Sequence, residues 1–134
     1  MKLLTQEVLK KFAKFGPYSQ DGKGNDAEIL VKFFTPDSSW SWFVLEAEQV
    51  PCDIEGGYDL DLFGIVRSHM ETVYGHFSFR ELEAVRGPLG LRIERDRHFH
   101  IKTVGELRQS TEIPSGALDW LDKRTVEETT EVAL

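Results

Sequence analysis

The chain has a single cysteine, Cys52, in 134 residues. No internal disulfide framework is available to it, and such sparing thiol use fits a reducing cytoplasm. Long apolar runs are missing too. The longest, such as Trp42 to Leu45, fall far short of the ~20 residues a membrane-spanning helix needs. The opening Met1-Lys2-Leu3-Leu4-Thr5-Gln6-Glu7 meets an acid and then lysines before any apolar core, which is not the pattern of a signal peptide. No CxxC, HExxH or lysine-bearing phosphate loop occurs, and no serine stands in a nucleophile-elbow pattern. The motifs that announce zinc, triphosphate or acyl-transfer chemistry are therefore absent. Positive charge is also scarce. Sixteen Lys and Arg stand against twenty-three Asp and Glu, a net charge of −7. Both halves of the chain are acidic, the opposite of what binding to duplex phosphates requires.

What is present is ordinary globular composition: 40% hydrophobic, 29% charged and 11% aromatic. The length suits one domain with its own core, and no repeat, low-complexity tract or linker divides it. The expectation is a single domain over 1–134, with 125–134 as a loose tail carrying Glu127, Glu128 and Glu131.

Periodicity places the elements. Val8, Phe12 and Phe15 recur at helical spacing behind Thr5, a good N-cap, and Gly16-Pro17 stops that helix. Strands are expected at 27–34, 40–46 and 60–66, and a short one at 74–77. The turn Thr35-Pro36-Asp37-Ser38 is short enough to make the first pair an antiparallel hairpin. Ser78-Phe79-Arg80-Glu81 and Thr103-Val104-Gly105-Glu106 match the capping box, in which hydroxyl and carboxylate each take a backbone amide. Each opens a short helix. Alternation over 91–101 reads as a further strand that groups Ile93, Phe99 and Ile101, and 116–124 reads as helical. Strands joined by such short connections leave no room for crossover helices. The predicted class is α+β: a mostly antiparallel sheet of four to five strands, with an N-terminal helix and short helices packed on one face.

Four groups of residues invite chemistry. Glu94, Asp96, His98 and His100 share a face if their segment is a strand, and two imidazoles two apart can grip a metal when a third ligand such as His76 joins them. A solvent-facing strip of alternating charge is the plainer account of the same pattern. The run from Glu46 to Asp61 holds Asp53, Glu55, Asp59 and Asp61 and no base, a solvated face or a surface for a basic partner. Trp40 and Trp42 share one strand face, as core or as a stacking platform. Lys10, Lys11 and Lys14 form a basic strip on the first helix.

Several phrases occur together in order: Phe33-Phe34-Thr35-Pro36, Trp40-Ser41-Trp42-Phe43 with Glu46, and Phe63-Gly64-Ile65-Val66. They continue through Gly75-His76-Phe77-Ser78-Phe79-Arg80-Glu81-Leu82, Arg86-Gly87-Pro88-Leu89-Gly90-Leu91 and Ile93-Glu94-Arg95-Asp96. In these the chain resembles the domain of unknown function 2958 family over most of residues 1–110. The resemblance implies a small bacterial protein of the kind often carried on mobile elements, and no activity. It draws attention to Trp40, Trp42, Glu46, Arg86, Glu94, Arg95 and Asp96 as binding or fold-defining residues. Here the last phrase runs on into Arg97, His98 and His100, where the family pattern has apolar or aromatic residues.

Three functional readings follow. The first is a non-catalytic accessory protein that binds a macromolecule, with a protein partner of basic surface and an anti-restriction or anti-defence inhibitor as its specific form. The second is a small enzyme or ligand-binding domain with a pocket around Glu94, Arg95 and Asp96. The third is a single-stranded nucleic-acid binder through Trp40 and Trp42. No cofactor and no membrane is expected, and His98 with His100 is the one weak metal candidate.

Overall fold

The computed structural model describes residues 2–53 and 57–122. The expected tail over 125–134, and the end of the helix expected over 116–124, lie outside them. Thr5 caps the first helix, α1 (Gln6–Lys14), its Oγ1 accepting a hydrogen bond from Val8 N at 3.2 Å. Glu7 stands in the first turn and Lys11 and Lys14 in the last, each where the helix dipole favours its charge. Val8 and Phe12 are the buried stripe.

Four strands follow: β1 (Val31–Phe34), β2 (Ser41–Pro51), β3 (Tyr58–Arg67) and β4 (Thr72–Ser78). After them come α2 (Phe79–Ala84), β5 (Glu94–Arg95) and α3 (Val104–Gln109). The sheet order is β4-β3-β2-β1-β5, and every pairing is antiparallel. This is the expected α+β class. β2 is central, and its first seven residues are all buried, which accounts for a strand apolar on both faces.

Such a strand needs cover on both sides, and the helices divide accordingly instead of sharing one face. Trp42, Val44 and Leu62 pack with Val8, Phe12, Phe79 and Leu82 from α1 and α2. Phe43, Leu45 and Ile65 pack with Val104 and Leu107 of α3 and with Ile113 and Leu118. Gly64 lets β3 lie close on β2. A Cβ there would stand 2.9 Å from the carbonyl carbon of Phe43 and nearer still to its oxygen.

Both hydroxyl caps form as expected: Ser78 Oγ accepts from Glu81 N at 3.3 Å, and Thr103 Oγ1 from Glu106 N at 3.2 Å. The Glu106 carboxylate reaches one residue further back than the box predicts, to Lys102 N. The strand expected over 91–101 is the main correction. Only Glu94 and Arg95 pair with β1. After Asp96 N donates to Lys32 O the chain leaves the sheet, and it rejoins where Ile29 N donates to Lys102 O. Residues 97–101 form an arch between these two bonds, so Ile93 packs in one core layer and Phe99 with Ile101 in the other.

Candidate functional site

Strict alternation along β2 puts Glu46 on the Trp40 and Trp42 face. A bulge intervenes: the β2–β3 register shifts between Val44 and Glu46, so that Glu46 pairs with Phe63 and Ala47 with Leu62. One extra residue reverses the faces beyond it. Ala47 thereby joins the core under α1, and Glu46 comes up on the opposite side, beyond the cover that α3 provides.

Glu46 is only 5% exposed, and both its carboxylate oxygens are engaged. Oε1 accepts from Tyr18 N at 2.9 Å and Oε2 from Gln20 N at 3.0 Å. Gln20, equally buried, donates through Nε2 to Glu28 O and Leu45 O and accepts from Glu28 N. Together they clamp the loop after α1 over β2, with Tyr18 at φ 63°. This is a positioning role: a buried acceptor holds two amides that would otherwise lack partners.

The clamped loop forms one wall of a groove. A recess of about 160 Å³ is lined by Tyr18 and Asp21 of the loop, Glu48 of β2, Asp61 and Phe63 of β3, and His76 of β4. It adjoins a second recess of about 370 Å³ that shares Asp21, Glu46 and Phe63 and extends to Tyr74 and Trp120. An aromatic row runs along the groove. Phe63 stacks on Tyr74 with centroids 5.9 Å apart and planes 8° apart, and lies 4.9 Å from the His76 ring. Trp120 meets Tyr74 edge-on at 5.5 Å. Burial pushes the Tyr74 hydroxyl's pKa up, against the opposing charge of Arg108.

Arg108 braces that end. Its guanidinium donates to both carboxylate oxygens of Asp122, to Asp119 and to Asn25. The bonds and charge of Asp122 first, then of Asp119, hold Arg108 firmly protonated against desolvation and fasten the segment carrying Trp120 to α3. Within the groove, His76 Nδ1 lies 3.3 Å from Asp61 Oδ1, within hydrogen-bonding reach. The arrangement is a carboxylate-lined trough with stacked rings as one wall, which suits an ammonium or guanidinium group: charge meets charge and the ring faces add attraction.

The residues singled out by sequence are spread over the molecule. Trp42 is core, and Trp40 stacks on it at 5.8 Å while remaining 37% exposed. Glu94 lines a cavity with Lys2, Leu4 and Phe79, whereas Arg95 and Asp96 line a different one beside α1. Arg86 is exposed and donates to the carbonyls of Glu83 and Val85. Asp96 pairs with Lys32 at 3.3 Å and accepts from His98 N. His98 and His100 are exposed on the arch, while His76 is on β4 at the acidic groove. Of the acidic run, Asp61 belongs to the groove and Asp53 is exposed, while Glu55 lies outside the described residues. Asp59 ties β3 to α2, accepting from Ser78 Oγ, Leu60 N and Arg80 N. Desolvation works against its ionised form, but these donors and the nearby Arg80 charge outweigh it and hold the pKa below the ordinary value. Tyr18, Asp21, Phe63 and Tyr74 carry no sequence signal for a groove, because only the bulge and the clamped loop bring them together.

No curated protein and no solved structure matches the chain. One family model does, that of the proteins of unknown function DUF2958, and it covers residues 3–107, including every strand among the described residues. The chain belongs to the DUF2958 family.

Proposed function

We propose that the chain is a non-catalytic binding module that seats a basic segment of a protein partner in the acidic, aromatic-walled groove. The observation that carries this reading is Asp21, Glu48 and Asp61 lining one trough with Phe63, and Tyr74 and Trp120 continuing the wall. Local sign matters more than net charge for such recognition, because complementary fields steer encounter and reject wrong partners. In its specific form the module is an accessory protein of a bacterial mobile element. There it occupies the nucleic-acid groove of a restriction or defence protein, with the exposed Asp53 adding to the acidic surface.

Affinity capture with the wild-type chain beside Asp21→Lys/Asp61→Lys tests the reading. These two carboxylates lie at the groove, while Glu46 is left intact because it holds the loop. A stoichiometric protein retained by the wild type and lost by the variant supports the assignment. The same protein retained equally by both overturns it.

A further inference from the structure

A larger cavity lies apart from the acidic groove, and the charge of its lining runs against the chain's −7. It measures about 620 Å³ and opens between α1 and the arch of residues 97–101, with Ile29 to Lys32 as its floor. It exists because β5 pairs for two residues only. Between the Asp96–Lys32 and Ile29–Lys102 backbone bonds the chain bows away from β1 and leaves a trough against α1.

Six cationic side chains line it: Lys11 and Lys14 from α1, Lys32 from β1, and Arg95, Arg97 and Lys102 at the arch. Three carboxylates, Glu7, Glu28 and Asp96, also line it, and Asp96 is already engaged by Lys32. Lys32 itself is committed, since it also pairs with Glu112 at 2.5 Å and lies over the Phe34, Phe43 and Phe99 rings. Arg97, Lys102 and Lys11 make no ion pair among the described residues. They come from two walls of one cleft, whose volume falls in the range of about 300–1,000 Å³ typical of small-molecule sites. Phe15 and Phe99 supply apolar lining beside them.

We propose that this cleft binds a phosphorylated small molecule of nucleotide size, with Arg97, Lys102 and Lys11 on the phosphates and Phe99 beside the organic part. Charge-assisted bonds from a guanidinium and two ammonium groups on facing walls suit a diphosphate better than a single carboxylate. The site is independent of the acidic groove, and the two stand or fall separately.

Calorimetric titration of the full chain with ADP, with inorganic pyrophosphate and with a short single-stranded oligonucleotide tests it. The expected result is saturable binding of ADP that weakens as salt rises. Arg97→Glu/Lys102→Glu should weaken it at least tenfold, with an unchanged circular dichroism spectrum. Asp21→Lys/Asp61→Lys should leave it intact. Arg97→Gln, a milder change at an exposed position, should give a smaller loss in the same direction and keeps the test valid if the double variant misfolds. Binding of the oligonucleotide with none of ADP or pyrophosphate would overturn the small-ligand assignment. So would ADP binding that none of the arch variants alters, or no binding of any probe.

Discussion

The Asp37 carboxylate occupies the space where any residue but glycine at position 87 would place its Cβ. An added Cβ on Gly87 would lie 2.6 Å from Asp37 Oδ2 and nearer still to Oδ1. Oδ2 accepts from Leu89 N and Leu91 N, which holds the turn after α2 against the β1–β2 hairpin. The glycine of Arg86-Gly87-Pro88 is thus required by a side chain fifty residues upstream rather than by its own backbone angle.

Gly87→Ala should therefore destabilise the fold by about 1–3 kcal/mol, the usual cost of forcing atoms into filled space. Urea unfolding of Gly87→Ala, Asp37→Ala and the double variant measures it. The expected pattern is a double variant less destabilised than the sum of the singles, because Asp37→Ala removes the clash as well as the bonds.

Glu46→Gln puts an NH2 donor against one of the two amides and leaves it without an acceptor, which costs about 1–3 kcal/mol for a buried donor. Chemical unfolding gives the magnitude. Hydrogen exchange gives the location: the amides of Tyr18 and Gln20 should exchange faster while those of β2 keep their protection.

Acid should act partly through Asp59. Its folded pKa is depressed below the ordinary 3.8. Its contribution is accordingly complete above that value and is lost as pH falls below it. Asp122, held down by its hydrogen bonds to Arg108, shifts stability in the same sense. Urea midpoints for wild type and Asp59→Asn between about pH 5 and pH 2 check this. The wild type should lose more over that interval than the variant, and parallel curves would refute the assignment.

Trp40→Ala removes a stacked partner from Trp42 at the end of the hairpin. The expected cost is about 0.5–1.5 kcal/mol beyond the lost burial. Neither the acidic groove nor the basic cleft is lined by Trp40, so binding at both should be unchanged when followed by titration.

The sequence announces what depends on local chemistry. Thr5, Ser78 and Thr103 cap their helices as their hydroxyls predict, and the hairpin turn after Phe34 fixes the pairing of β1 with β2. What it conceals depends on a single inserted residue or a distant contact. Leu45 looks like one more apolar position in an alternating strand, yet the bulge there decides which face Glu46 and Ala47 occupy. Alternation over 91–101 suggests a strand, but Asp96 turns its carboxylate to Lys32 and His98, and the chain departs into the arch. The lysines of α1 were visible as a strip, whereas their facing partners Arg97 and Lys102 appear only once that arch is formed.

The bulge has an evolutionary consequence. Substitutions at the groove can change which groups it recognises while leaving its place on the molecule untouched. Deleting one residue beside Leu45 would close the bulge and leave Glu46 opposite Phe63 and Ala47 opposite Leu62, each on the face it now occupies. A slip of register that closed the bulge without a deletion would instead turn the remainder of β2 over, sending Glu46 toward the layer beneath α1 and Ala47 toward the groove. Drift in side-chain identity, and even loss of the extra residue, is open to this surface, whereas a slip of register is closed.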